Sequence, residues 1–236
     1  MNCKMIEFNG LPGSGKTTIT HYISKNYYEN KLKLINLKND DIYKKHIRLK
    51  SFRLLKNLLV PNRIYILIIL IGFMHKNHSI NVKNIYRGIH IINLYNLYKL
   101  INKSNESEDT YYLLDQGIIQ EIISILYDKK INKKSFKWLI KLIKFTYSEF
   151  SIINSKVSVE ESLIRIQSRI SNTSRLDKLS EEKANKVLRV QYENFKILRE
   201  IVHSLSVSNL DINTNESLSH NAKKIINFLL SNKILK

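Results

Sequence analysis

Between Met5 and Tyr22 the chain reads Met-Ile-Glu-Phe-Asn-Gly-Leu-Pro-Gly-Ser-Gly-Lys-Thr-Thr-Ile-Thr-His-Tyr. Gly10, Gly15, Lys16 and Thr17 fit the spacing G-x-x-x-x-G-K-[ST], which binds phosphate when a strand precedes it and a helix follows. Glycines let the backbone wrap inward, so that successive N–H groups point at phosphate oxygens. The wrap takes in Gly10, Leu11, Pro12, Gly13, Ser14, Gly15, Lys16, Thr17 and Thr18. Lys16 adds a cation for the β- and γ-phosphates, and the Thr17 hydroxyl is a ligand for Mg²⁺. The start of the following helix adds its own positive end. A nucleoside triphosphate is the ligand expected.

Three further sets of residues suit chemistry on such a ligand. Tyr111-Tyr-Leu-Leu-Asp115 is an apolar strand ending in a carboxylate, so Asp115 is a candidate for the Mg²⁺ shell. Asp40 and Asp41 follow the apolar run Leu32 to Leu37, and either is a candidate to take the proton from a substrate hydroxyl. Capping of the next helix is the competing role for both. Arg165 and Arg169 are four apart on one helix, and Arg175 follows across Ser171-Asn-Thr-Ser. Arginines so placed suit a phosphoryl transition state, whose equatorial oxygens gather negative charge.

The elements that must position these residues alternate. Met5–Phe8 reads as a first strand, Lys31–Lys38 as a second, Tyr111–Asp115 as a third, Ser151–Val157 as a fourth and Leu205–Asp211 as a fifth. Helices between them give an α/β fold with a parallel sheet and ligands above the carboxyl ends of its strands. Residues 42–103 are too long for a simple crossover and read as a helical insertion on the acceptor side of the cleft. Pro61 suits the first turn of a helix through Ile64–Met74, expected to be fully buried, with a membrane or partner contact as the lesser option. A further helix from about Asn81 would bury Ile85, Ile89 and Ile92. Arg48, Arg53, Arg63 and Arg87 are the insertion's candidates for gripping an anion. Phe136–Phe150 reads as a helix. Ser158-Val-Glu-Glu161 is a capping box before the arginine helix. The stretch 165–178 has the character of a lid, a loop without hydrophobic anchors. The helix introduced by Ser180-Glu-Glu182 would face Leu188, Tyr192, Phe195, Leu198 and Val202 inward, and the closing helix Leu218, Ala222, Ile226 and Leu229.

The 236 residues suit a single domain. One cysteine, Cys3, excludes an intrachain disulfide and suits a reducing, cytoplasmic location. No signal-peptide pattern is seen, and the longest apolar run, Ile64–Met74, is far short of the ~20 residues that span a bilayer. Lys and Arg number 39 against 20 Asp and Glu, a net charge of +19. Such a field attracts polyanions, but the lysines are scattered and no run of five like charges forms, which favours dispersed solubility over a dedicated nucleic-acid surface.

Taken together, Gly10-x-x-Gly-x-Gly-Lys-Thr17, the acidic strand end at Asp40/Asp41, Leu-Leu-Asp115, Arg165-x-x-x-Arg169 and Ser-Arg175-Leu-Asp resemble the P-loop nucleoside and nucleotide kinases. The likeness is to thymidylate-kinase-like and deoxynucleoside-kinase-like proteins and related small-molecule phosphotransferases. It implies a five-stranded parallel sheet, ATP and Mg²⁺ as donor, lid arginines on the transferring group, and the loop Asn213–Asn215, Asn213 first, close to the adenine. Those families commonly carry Asp-Arg or Glu-Arg after the third strand, where this chain has Asp115-Gln116. The acceptor is therefore expected among nucleosides, nucleotides, sugars and antibiotics. An NTP-hydrolysing switch, a nucleic-acid-associated P-loop protein, a nucleotide-binding module without turnover and a homodimer stay open.

Overall fold

The computed structural model describes residues 5–27, 33–36, 60–103, 110–147, 150–169 and 175–234. Five strands, β1 (Met5–Asn9), β2 (Lys33–Asn36), β3 (Thr110–Leu114), β4 (Phe150–Lys156) and β5 (Asn209–Asn213), form one sheet in the order β2-β3-β1-β4-β5. All four pairings are parallel. This is a P-loop α/β fold, with β1 central, its Glu7 paired to Leu114 at the end of β3 and its Asn9 paired to Asn154 of β4.

Eight α-helices among the described residues cover the two faces: α1 (Lys16–Asn26), α2 (Pro61–Lys76), α3 (Val82–Lys103), α4 (Ile118–Leu126), α5 (Phe136–Thr146), α6 (Val159–Gln167), α7 (Glu181–Ser204) and α8 (Leu218–Ile234). Parallel sheets covered on both sides have strands apolar on both faces, and β1 and β3 are buried at every position. Ile6, Phe8, Leu113 and Ile153 pack against Ile19 and Ile23 of α1 and Ala222 and Ile226 of α8. Met5, Tyr112, Leu114 and Ile152 face the larger core built with α2 to α7.

Several elements depart from the sequence expectation. The helix expected over Phe136–Phe150 stops at Thr146, and Phe150 opens β4. The fifth strand is displaced along the chain. Leu205 ends α7 with its N–H on the Ile201 carbonyl, Ser206 turns with a φ of 54°, and pairing starts only at Asn209. Helix α2 is not fully buried: Ile66, Ile69, Leu70, Phe73 and Met74 are interior, whereas Ile64, Tyr65, Ile71 and Ile68 (53% exposed) face outward. An all-apolar run hides the helical period, which is why the two faces were not separable. No helix among the described residues is long and apolar enough to cross a membrane. On α3 Ile92 is buried and Ile89 half-buried as expected, but Ile85 is exposed, and Asn84, Gly88, Ile91, Tyr95 and Tyr98 belong to the buried face. Tyr192 and Leu218 are also exposed. The loop after Arg169 does have a hydrophobic anchor, since Leu176 is buried in a short 3-10 turn.

The outward Tyr192 and the inward Leu188 share one helix, so they give a local test. Leu188→Ala should cost about 2–5 kcal/mol in urea unfolding, and Tyr192→Ala no more than about 0.5 kcal/mol. Equal costs would contradict the placement of α7.

Candidate active site

The turn between β1 and α1 is built as its residue types require. Gly13 has a φ of 85°, and a Cβ there would lie 2.8 Å from the Ser162 carbonyl oxygen. Gly15, left-handed at φ 75°, is the N-cap of α1. The Ser14 N–H donates to the Leu11 carbonyl at 3.1 Å, which closes the loop. Helix α6 braces it from outside, because the Ser162 hydroxyl donates to the Pro12 carbonyl. Helix α6 starts where the capping box placed it: the Ser158 hydroxyl accepts the Glu161 N–H at 3.0 Å.

Lys16 is buried, and its ammonium folds back onto the loop. It donates to the carbonyls of Gly10 and Leu11, each at 2.8 Å, and to the Ser14 hydroxyl at 3.2 Å. Burial pulls its pKa down from 10.5 to about 7; the Asp115 carboxylate opposes this shift and the Arg169 charge adds to it. Asp115, just beyond the end of β3, accepts the Thr17 hydroxyl at 2.7 Å. Strand β3 is hydrogen-bonded beside β1, and that adjacency brings residues 17 and 115 together. A hydroxyl and a carboxylate side by side at a phosphate loop are the hard oxygen donors that Mg²⁺ takes, so the residues present fit that ion.

Lys16, Thr17, Thr18 and Asp115 line a cleft of about 350 Å³. Its far wall comes from α3, α4 and α7, through Arg87, Gln120, Glu121, Ser124, Tyr127 and Gln191. Arg87 pairs with Glu121 at 2.9 Å, and His90 Nδ1 lies 3.4 Å from the same carboxylate. Burial alone would raise the pKa of Glu121, but the hydrogen bond and charge of His90 and the charge of Arg87 outweigh it and hold the group below its usual value.

The three candidate arginines occupy three different settings. Arg165 is engaged away from the cleft. Its guanidinium binds Glu161, the Thr214 hydroxyl and carbonyl, and Asn215 at 2.9–3.3 Å, which ties α6 to the loop after β5. Arg169 is exposed and reaches both the cleft and an adjoining hollow of about 360 Å³. That hollow is bordered by Thr18, Ile19, Thr214 and Glu216. Arg175 lies in the cleft wall, stacked 4.1 Å from the centre of the Tyr127 ring. Burial and the nearby Arg87 lower its pKa. Arg63 is turned to Asn96 at 2.9 Å.

Asn213 ends β5 and accepts the Asn215 N–H at 3.1 Å. It borders a separate hollow lined by Gly10, Leu11 and Tyr192, whereas Thr214 and Glu216 line the hollow that Gly15 and Thr18 border. Asp40, Asp41, Arg48, Arg53 and residues 170–174 lie outside the described residues. Sequence reasoning missed Glu121, Tyr127 and Gln191. Their only signal was helical spacing from Ile118 and Leu188, because a polar residue on a helix reads as solvated until a facing wall is known.

Neither a protein-family model nor a curated protein matches the chain. Solved structures do share the fold. One is deoxyadenosine kinase from M. mycoides with products dCMP and a flexible dCDP bound, at 13% identity and a TM-score of 0.51, covering 96% of this chain and 99% of that one. The same enzyme with bound dATP gives 14% identity and a TM-score of 0.52, with 95% and 98% covered. The described residues therefore share the P-loop fold of those structures.

The lowered pKa of Lys16 gives a pH signature. Near pH 8 the empty loop holds Lys16 largely neutral, and an incoming triphosphate favours the ammonium. Binding should therefore take up about one proton at pH 8 and close to none at pH 6, with affinity falling as pH rises above 7. Calorimetry in buffers of different ionisation enthalpy measures this, and no uptake at pH 8 would contradict it.

Proposed function

We propose that this protein is an ATP- and Mg²⁺-dependent phosphotransferase that moves the γ-phosphate to a hydroxyl of a small molecule. Nucleosides are the first acceptor class to test, with nucleotides, sugars and aminoglycosides behind them. The observation that carries the proposal is the meeting of Lys16, Thr17 and Asp115 at one cleft, with the Thr17–Asp115 contact at 2.7 Å. The deoxyadenosine kinase structures, bound to dATP or to dCMP and dCDP, support the same class.

The residues divide the work. The loop amides and Lys16 bind the triphosphate, the ammonium leaving the Gly10 and Leu11 carbonyls for phosphate oxygens. Thr17 and Asp115 would hold Mg²⁺, which neutralises charge on the β- and γ-phosphates when bound. Arg169 and Arg175 approach the transferring group from the far side and stabilise its equatorial oxygens. Arg165 acts through Thr214 and Asn215, holding the loop that borders the hollow beside Thr18, where the adenine is assigned. Asp40 or Asp41 takes the acceptor proton. Strand β2 runs parallel beside β3, with Asn36 paired to Leu113.

ADP formation with an acceptor panel tests the assignment. Lys16→Met should lower kcat/KM by about 10²–10³-fold, the scale of removing one charge-stabilising donor. Arg169→Ala should act mainly on kcat, and Arg165→Ala mainly on KM for ATP. Wild-type protein that consumes ATP equally without any acceptor would favour a hydrolase. Undiminished turnover in Lys16→Met would overturn the proposal.

A further inference from the structure

A charged residue stands where the pattern of β1 calls for an apolar one. Glu7 lies between Ile6 and Phe8, and its side chain points to the opposite face from theirs, into the larger core, 2% exposed. One carboxylate oxygen accepts the Ile119 N–H at 2.9 Å, and the other accepts the Ile118 N–H at 3.0 Å. The Tyr147 hydroxyl donates to the second oxygen, with the Tyr98 hydroxyl 3.5 Å away. Helix α4 has no side-chain cap of its own, because Gly117 occupies the N-cap. Glu7 supplies that cap from another strand, satisfying two of the N–H groups that a helix start leaves open and meeting its positive end.

The clamp is close-fitting and sits directly behind the metal-holding turn. A Cβ on Gly117 would be 2.0 Å from the Glu7 carboxyl carbon, so the glycine is needed for approach rather than for its backbone angles. Glu7 is the register partner of Leu114, the residue before Asp115. The path is short: Glu7, the amides of Ile118 and Ile119, Gly117, Asp115 and then the Thr17 hydroxyl. The position is also costly. Burial pushes the Glu7 pKa from 4.5 up to about 7, against the pull of Tyr147 and the amides of Ile119, Ile118 and Gln120. The folded protein keeps that proton up to about pH 7, whereas the unfolded chain releases it near 4.5. Stability therefore falls as pH rises across that window, and the cost is complete above 7. An apolar residue would avoid the cost but leave the first turn of α4 uncapped.

We propose that Glu7 is a positioning residue of the phosphoryl-transfer site, fixing the Asp115–Gly117 turn and the first turn of α4 relative to the phosphate loop carried by the same strand. It rests on the phosphotransferase reading and acts through Asp115, without touching substrate.

Binding of a fluorescent ATP analogue to the full chain at pH 8, above the raised pKa of Glu7, with Mg²⁺ and then with EDTA, tests it without need of an acceptor. Glu7→Gln keeps the shape but turns an amide N–H toward one of the helix amides. The affinity gained on adding Mg²⁺ should fall about tenfold, the scale of losing a group that orients a metal ligand, while affinity in EDTA stays within twofold of wild type. A purely structural role would lower the melting temperature and leave the Mg²⁺ gain unchanged, and that result overturns the proposal. Should Glu7→Gln fail to fold, Tyr147→Phe removes one hydrogen bond to the carboxylate; a smaller loss of the Mg²⁺ gain supports the proposal and an unchanged gain overturns it. Wild-type protein that binds no nucleotide would instead sink the phosphotransferase reading.

Discussion

The constraint behind the local structure is a buried ammonium, Lys16, seated on the carbonyls of its own loop beside the Asp115 carboxylate. Lys16 and Asp115 line the same cleft, and Asp115 offsets part of the downward shift that burial imposes on the Lys16 pKa. Among the described contacts, Lys16 donates to two carbonyls and a hydroxyl, and Asp115 accepts the Thr17 hydroxyl. Hydrogen bonds of that kind are each worth only about 0.5–1.5 kcal/mol net. An incoming polyphosphate can exchange them without a large barrier.

That arrangement depends on strand order more than on any one side chain. With β1 between β3 and β4, the phosphate loop leaves the sheet beside the turn after β3 and against the helix after β4. The first neighbour supplies Asp115; the second supplies Ser162, which braces Pro12 and stands where a Cβ on Gly13 would go. Loop, carboxylate and brace are far apart in sequence, and parallel pairing makes them adjacent.

The fold was legible because its signals are local and periodic. The phosphate loop, the apolar strand ends and the Ser158 cap each occupy a few residues, and their order selects a P-loop α/β sheet. What stayed hidden needed a partner surface. Ile64–Met74 carries no period, so only packing against α3 and α5 tells Ile69 from Ile68. The fifth strand was misplaced because Leu205 and Val207 are as apolar as a strand requires, yet Leu205 is used to end α7. Arg165 and Arg169 look equivalent at four-residue spacing. Only the loop after β5 separates the strut from the cation that reaches the cleft. Glu7 passed as part of the apolar strand Met5–Phe8, and its purpose appears only with α4 beside it.

The charge balance of the cleft follows from these pairings. Arg87 is matched by Glu121, which its neighbours keep ionised. Among the described lining residues this leaves Lys16, Arg169 and Arg175 against Asp115. The chain's overall +19 adds less than its size suggests, since charges more than about 8 Å away are largely screened at physiological salt. Preference for a polyanion is thus set within the first few ångströms, by cations on α1 and on the segments after α6. Because one of them is stacked on Tyr127 and another folded onto its own loop, the empty site holds its positive charge in neutral company, available to a ligand that brings more negative charge than Asp115 alone.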